Sequence, residues 1–258
     1  MPGSLKTEAI VLRSMRYGEA DRILHLFTPD HGRLSAIAKG VRRAKSRFGG
    51  RLEPYFRLRL ILYQGRSDLF TVTSAETVQG HPRLREHAGA LDGAARACDA
   101  VVRMFDDHDA HRGVYHLLAN QLALLDADPA RATRGNALAF RLKLLLAAGF
   151  APQLAACAGC GAAGHLIGFS GAAGGVVCPA CEASAFELGQ DAHDFMVGAL
   201  GRPLAEAPDA PPRALAQAER AILETLEHHA HLRLRPVGGR SPVSAGTDAG
   251  LSIRPRSG

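Results

Sequence analysis

The segment Phe56-Arg-Leu-Arg-Leu-Ile-Leu-Tyr63 has the cleanest two-residue alternation in the chain. Apolar side chains occupy every second position, namely Phe56, Leu58, Leu60 and Leu62. A period of two places such side chains on the same face of a β-strand. The sequence therefore predicts a strand with one buried face over residues 56–63.

Four further strands are predicted on either side of this segment, over residues 5–13, 22–28, 34–39 and 69–75. Turn-forming residues separate them, among them Gly18 and the segment Pro29–Gly32. Five short strands within about 75 residues, with a long connection after the third, favour a small antiparallel β-barrel of the OB type. An SH3-like barrel is the alternative that this pattern leaves open.

Beyond residue 81, apolar residues recur every three or four positions, which predicts helices. The helical pattern covers residues 88–105, 114–125, 130–148, 190–200 and 212–231. We therefore expect an α+β protein: a five-stranded OB-type barrel followed by an all-helical domain with an insertion. The expected divisions are residues 1–80 for the barrel, 81–153 and 187–235 for the helical domain, 154–186 for the insertion and 236–258 for a disordered tail.

Four of the five cysteines form two CxxC pairs within the insertion: Cys157, Cys160, Cys178 and Cys181. Paired thiolates at this spacing are typical of a tetrahedral site with four sulfur ligands around zinc. Four protein ligands leave no open coordination position, so the sequence predicts one structural zinc ion in a four-cysteine zinc finger. A disulfide or redox pair is the alternative. Cys98 is expected to be a small core residue in a reducing cytoplasm.

The positive charge is concentrated in the first third of the chain. Residues 1–80 hold 14 Lys and Arg against 7 Asp and Glu, whereas residues 81–258 hold 17 against 18. Residues 39–51, here called the basic segment, contain six cations and no acidic residue. These cations are Lys39, Arg42, Arg43, Lys45, Arg47 and Arg51. Such a segment is either solvated or bound to a polyanion, and we expect the phosphates of a nucleic acid.

Further nucleic-acid contacts are predicted close to the basic segment. Arg13, Arg16 and Arg33 are expected to bind additional phosphates. Phe48 lies inside the segment, Tyr55 follows it and Tyr17 lies in a preceding turn. Cations interleaved with aromatic residues are typical of proteins that bind single strands, because unpaired bases stack on the rings. Alternatively, Phe48 and Tyr55 anchor the segment to the barrel.

Motifs of several enzyme classes are absent from the sequence. It contains no P-loop, no GxSxG nucleophile motif and no HExxH metal motif. No HxE precedes Cys178, as the zinc deaminases require. No apolar run approaches the roughly 18 residues of a membrane span, and the N-terminus has no apolar signal region. We therefore expect a soluble, non-enzymatic cytoplasmic protein without a membrane partner.

Several blocks of the sequence resemble the bacterial RecO family of recombination mediators. They cover residues 17–24, 26–28, 31–33, 38–55 and 140–152, together with the four cysteines of the insertion. The resemblance extends over about residues 5–235. It implies an N-terminal OB barrel, a helical body interrupted by a zinc finger, and no catalytic turnover.

The resemblance also implies a function and a set of partners. Such a protein binds single- and double-stranded DNA, anneals complementary strands, and joins RecR to help load RecA on DNA coated by single-strand-binding protein. The helical domain is then expected to bind the acidic C-terminal tail of single-strand-binding protein, with Arg134, Arg141 and Lys143 as candidate contacts. Alternatively, Arg141 and Lys143 lie on the solvated face of an amphipathic helix. An OB-fold RNA-binding protein of the translation machinery with a structural zinc remains the main functional alternative.

Overall fold

The computed structural model describes residues 3–43, 45–65, 67–181, 183 and 185–237. Of the tail that the sequence predicts to be disordered, only residues 236 and 237 are among them. Residues 238–258 lie outside the described residues, so disorder there stays a prediction.

A closed β-barrel of five strands forms the N-terminal part of the chain. The strands are β1 (Gly3–Tyr17), β2 (Asp21–Thr28), β3 (Gly32–Ala38), β4 (Arg57–Gln64) and β5 (Phe70–Gln79). Their order is β1-β2-β3-β5-β4, and β4 pairs with β1 to close the barrel. This order is that of an OB barrel, so the predicted fold is confirmed and the SH3-like alternative is not adopted.

One pairing in the barrel differs from the antiparallel arrangement that the sequence predicted. Strands β3 and β5 pair in parallel, with Ala36 opposite Phe70 and Ile37 opposite Thr71. The long connection between β3 and β4, which contains the basic segment, allows this pairing because it carries the chain across the barrel before β4 begins. The other four pairings are antiparallel.

Alternate side chains of the strands fill the barrel. Leu58, Leu60 and Leu62 of β4 are fully buried, as the alternation of this strand predicted. Phe48 and Leu52 enter the same core from the connection between β3 and β4. Each of these large apolar side chains contributes about 1.5–3 kcal/mol to the stability of the barrel.

Six helices form most of the described remainder of the chain. They are α1 (Pro82–Glu86), α2 (Ala88–Met104), α3 (Arg112–Ala127), α4 (Arg134–Ala147), α5 (Gln190–Gly201) and α6 (Pro212–Thr225). Short 3-10 helices cover Pro129–Arg131, Pro179–Cys181 and Leu204–Glu206, and a π-helical turn covers Leu226–Ala230. Helix α4 begins later than predicted because Thr133 is its N-cap, with Oγ1 accepting the N–H of Asn136 at 3.1 Å.

One hydrophobic core joins the outer face of the barrel to the helices. Ile10, Leu12 and Phe27 of the barrel belong to this core. The ring of Phe27 lies 6.5 Å from the rings of both Phe105 and Tyr115, measured between centroids. The barrel and the helical domain are therefore packed through apolar side chains and not only through the connecting chain.

The insertion between α4 and α5 carries a small antiparallel sheet. Its strands are β6 (Gly168–Ser170), β7 (Gly175–Val177) and β8 (Phe186–Glu187), in the order β7-β6-β8. Strands this short contribute little core of their own. Phe169, Val176 and Phe186 of these strands instead pack into the core shared with the helices. Among the residues that the structure describes, no helix combines the length and the apolar character that crossing a membrane requires.

Candidate nucleic-acid interface and metal centre

Two tight turns bring the four cysteines of the insertion together. The carbonyl of Cys157 accepts the N–H of Gly161 at 2.8 Å, and that of Cys178 accepts the N–H of Cys181 at 2.9 Å. All four Sγ atoms lie within 4.8 Å of one another. The Sγ atoms of Cys160 and Cys178 are 3.7 Å apart. A tetrahedron with metal–sulfur bonds of about 2.3 Å has edges of about 3.8 Å, so the cluster has the size to hold a metal ion.

Backbone donors favour the deprotonated, metal-binding form of one of the four cysteines, Cys157. The backbone N–H of Cys178 lies 3.4 Å from the Sγ of Cys157. This donor, followed by the N–H of Cys160, lowers the pKa of Cys157 to about 6. Neighbouring sulfurs, first that of Cys160, raise the pKa of Cys181 to about 12. Four thiolates this close repel one another unless a cation lies between them, so the donor set fits a metal.

The basic segment lies between β3 and β4 in the chain and contacts the β1–β2 turn and β5. At its start, the N–H of Gly40 donates to Oδ1 of Asp21 at 2.7 Å, and the N–H of Arg42 donates to the carbonyl of Ala20 at 2.9 Å. In its middle, the guanidinium of Arg47 donates to the carbonyl of Val72 on β5 at 3.3 Å. The segment therefore extends from the β1–β2 turn to β5 in a defined conformation.

All six cations of the basic segment are exposed. Within the described ranges, none of them forms an ion pair with a carboxylate. Arg42, Arg47 and Arg51 donate to backbone carbonyls, which leaves their charges uncompensated. The segment is thus a concentrated positive surface that a polyanion can reach.

The aromatic residues near the basic segment have different positions. Phe48 is 1% exposed and lies in the barrel core, so the prediction that it contacts nucleic acid is wrong. Its ring packs among the buried side chains of the barrel, with the guanidinium of Arg47 4.7 Å from the ring centre. Tyr55 packs against the core shared with the helices, and burial raises the pKa of its hydroxyl. Both therefore anchor the chain. Tyr17 is 51% exposed and pairs with Asp21 beside the start of the segment.

The three other predicted phosphate contacts also separate into two groups. Arg13 and Arg16 on β1 are exposed, and Arg16 lies near the β1–β2 turn opposite Arg22. Arg33 instead forms an ion pair with Asp107 at 2.9 Å and also donates to the carbonyl of Val102. Its charge is compensated and its side chain joins the barrel to the helical domain. The prediction that Arg33 binds phosphate is therefore corrected.

The cations predicted to bind an acidic tail lie on α4, but they do not form one exposed patch. Arg141 is 4% exposed, forms an ion pair with Glu219 at 3.5 Å and donates to the carbonyl of Arg235 at 2.5 Å. Burial lowers the pKa of Arg141 to about 10, although the charge of Glu219 opposes this shift. The guanidinium stays charged at neutral pH. Both interpretations of Arg141, as a tail contact and as part of a solvated face, are therefore wrong.

The other two cations of α4 are partly accessible. Arg134 forms an ion pair with Glu219 at 2.7 Å, and its side chain is 36% exposed. Lys143 donates from Nζ to the carbonyl of Leu200 at 3.1 Å, and burial lowers its pKa. These two side chains retain a surface that a partner can contact.

Glu219 of α6 is a site residue that the sequence analysis did not identify. It is 5% exposed and binds Arg134, Arg141 and the backbone N–H of Val237. The guanidinium of Arg96 donates to the carbonyl of Pro236 at 2.9 Å. Buried charged side chains thus hold residues 235–237 against the helical domain. A single Glu in an amphipathic helix gives no signal of this role.

Replacing Glu219 by alanine is expected to lower the free energy of unfolding by about 3 kcal/mol, because it leaves the buried Arg141 without its carboxylate. Urea denaturation measures this change. The matched control is Glu224→Ala on the same helix, which removes a surface ion pair with Arg220 and is expected to cost at most about 0.5 kcal/mol. Equal losses in the two variants would contradict the role assigned to Glu219.

Comparison with known protein families shows to which family this chain belongs. The family described as "Recombination protein O N terminal" matches residues 1–81, and the family described as "Recombination protein O C terminal" matches residues 86–236. The chain belongs to the RecO family. The first RecO region covers the barrel with its basic segment, and the second covers helices α2 to α6 and the four clustered cysteines. The family resemblance inferred from the sequence is thus confirmed.

Individual RecO-family relatives match most of the chain. A protein of Rubrobacter xylanophilus named DNA repair protein RecO is 38% identical over 258 residues, which covers 95% of this chain and 98% of the relative. The protein of the same name from Myxococcus xanthus is 33% identical over 231 residues, which covers 89% of this chain and 94% of that relative. The protein of this name from Bifidobacterium longum subsp. infantis is 37% identical over 205 residues, which covers 76% of this chain and 80% of that relative.

Proposed function

We propose that this RecO-family chain is a non-enzymatic DNA-binding protein of recombinational repair, which anneals complementary strands. The observation that carries this proposal is the basic segment, with six exposed cations that no described carboxylate pairs. Cations that hold strands by their phosphates leave the base edges free, as annealing requires. Phosphates are common to single and double strands, so the proposal includes both forms of DNA. The names of the relatives, which are DNA repair proteins, support the same process.

Tyr17 is the proposed stacking residue for unpaired bases, because its ring is exposed beside the basic segment. Replacing Tyr17 by alanine is expected to weaken binding of single-stranded DNA about fivefold or more, since base–aromatic stacking contributes about 1–3 kcal/mol. Binding of duplex DNA, whose bases are already stacked, is expected to change little. Fluorescence anisotropy with both DNA forms measures the two affinities. Tyr17→Phe keeps the ring and is the control; equal losses for single strands and duplex would exclude stacking.

We propose zinc as the metal of the cysteine cluster, with a structural role. Four sulfur ligands at tetrahedral separations suit zinc and leave no position for a substrate. The insertion at residues 154–186 contains neither Lys nor Arg. Its surface therefore lacks the cations with which a DNA-binding module contacts phosphates, and its proposed role is to maintain the local fold.

The proposed partners follow from membership of the RecO family. They are RecR, the acidic C-terminal tail of single-strand-binding protein and, through loading on coated DNA, RecA. Arg134 and Lys143 of α4 are the proposed contacts for the acidic tail, because both are partly accessible. Arg141 is excluded from this set because its side chain is buried and a partner cannot reach it. A protein with these partners acts in the cytoplasm at the nucleoid.

A timed annealing assay tests the proposed function. Complementary oligonucleotides are coated with single-strand-binding protein and mixed with the chain. The expected result is faster annealing than without the chain, and loss of this gain when the coat protein lacks its acidic tail. An unchanged annealing rate would contradict the proposal. Stronger competition by single-stranded RNA than by DNA would favour the RNA-binding alternative, and cleavage of labelled DNA with magnesium or manganese would show an enzyme.

A further inference from the structure

Side-chain hydrogen bonds connect the two borders of the basic segment to the first two residues of β2. Oδ1 of Asp21 accepts the N–H of Gly40 at 2.7 Å, close to the start of the segment. Nη1 of Arg22 donates to Oε1 of Glu53 at 2.7 Å, just after its end. Between these points, Phe48 lies in the barrel core. The segment is thus held at its start, in its middle and at its end.

The basic segment is also ordered internally by a series of tight turns. Hydrogen bonds between backbone groups three residues apart join Arg43 to Gly40, Ser46 to Arg43, Gly49 to Ser46 and Arg51 to Phe48, at 3.0 to 3.3 Å. Gly40 has a φ of +66°, a conformation that suits glycine. The hydrogen bond from Gly40 to Asp21 fixes this turn, and with it the direction in which the following cations leave the barrel.

Asp21 and Glu53 are acidic residues at the two borders of a cationic surface. By charge alone, each carboxylate repels phosphate and weakens the binding of DNA. The hydrogen bonds that these two carboxylates accept indicate instead that they strengthen the binding of DNA. A long segment that is already ordered loses less conformational entropy when it binds DNA. The resulting gain in binding free energy can exceed the repulsion between one carboxylate and the phosphates.

We propose that Asp21 and Glu53 are positioning residues that preorganise the basic segment for phosphate binding. Removing either carboxylate therefore weakens the binding of DNA, even though it makes the surface more positive. This inference rests on the proposed function and identifies residues that support it without contacting DNA.

The test compares three variants by fluorescence anisotropy with a single-stranded oligonucleotide at several salt concentrations. Asp21→Ala is expected to bind about fivefold more weakly than wild type, the loss typical of one ordinary hydrogen bond. Asp21→Asn is expected to stay within about twofold, because its amide oxygen accepts the same hydrogen bond. Glu19→Ala is the control for charge: it lies in the turn just before Asp21, and within the described chain its carboxylate has no partner. It is expected to bind slightly more tightly.

The salt dependence separates positioning from loss of a phosphate contact. Asp21→Ala retains all six cations, so its slope of log K against log salt is expected to equal that of wild type. Glu53→Ala provides a second test that does not depend on the fold of the first variant, and it is expected to bind about threefold more weakly. Circular dichroism of each variant verifies that it is folded.

One result would exclude the positioning role of Asp21 and Glu53, and a different result would contradict the proposed DNA-binding function. Asp21→Ala and Glu53→Ala that bind as tightly as wild type, or more tightly, would exclude the positioning role while the proposed function stands. A protein whose DNA affinity survives the loss of the cations of the basic segment would contradict the proposed function itself.

Discussion

Replacing Arg42, Arg43, Lys45 and Arg47 together by alanine is expected to weaken binding of single-stranded DNA about 600-fold at 0.1 M salt. Each phosphate that a cation neutralises contributes about 0.7 to the slope of log K against log salt. With four of six contacts removed, the slope is expected to change from about −4 to about −1.4. The four side chains are exposed, so the fold is expected to survive the change. A salt titration by fluorescence anisotropy measures both quantities.

The control for this variant removes four other arginines, each of which forms a surface ion pair with a carboxylate. They are Arg103, Arg112, Arg131 and Arg213. The net charge changes by the same amount, but we expect only a small loss of affinity because these charges are locally compensated. Equal losses in the two variants would show that DNA responds to the overall charge and not to the basic segment.

Removing the proposed zinc ion is expected to unfold the part of the insertion that surrounds the four cysteines. A structural zinc site in a small module contributes an apparent 10–16 kcal/mol or so at neutral pH, which exceeds what a small core supplies. Here the core next to the sulfur atoms consists of Cys157, Val177 and Cys178, with few partly buried neighbours. Phe169, Val176 and Phe186 of the insertion pack instead into the core shared with the helices. Cys178→Ser is therefore expected to lower the metal content from one ion per chain to less than about 0.2, and to expose residues 154–186 to protease. The affinity for DNA is expected to stay within about twofold, because the insertion has no cations of its own.

Cys98→Ala is the matched control for the metal site, because it removes a thiol that is buried among the helices, where burial raises its pKa. Its metal content is expected to remain at one ion per chain, measured by elemental mass spectrometry. If Cys178→Ser keeps its metal, or if intact mass shows a disulfide in the wild-type protein under reducing conditions, the metal-site assignment is wrong.

The elements with strong local patterns were predictable from sequence. The alternation in β4 and the three- to four-residue period after residue 81 depend on which face of each element is buried, and both patterns were confirmed. The CxxC pairs were equally informative, because a four-residue turn places both sulfurs on one side. The parallel pairing of β3 with β5 was not predictable, since a period of two does not specify the neighbouring strand.

The corrected site residues share one physical reason. Sequence gives the charge of Arg141, but its partner Glu219 lies 78 residues further along the chain and reaches it only after α6 packs on α4. Arg33 is compensated in the same way by Asp107. Phe48 would give the same sequence pattern whether it contacted a base or the barrel core. In each case, the long-range packing determines the role, and local sequence does not encode it.

The central claim is that the basic segment holds DNA by its phosphates. The dependence of wild-type affinity on salt tests it most directly, with a single-stranded oligonucleotide titrated at a series of salt concentrations. Six neutralised phosphates predict a straight line of log K against log salt with a slope of about −4. An affinity that does not change with salt would contradict the account.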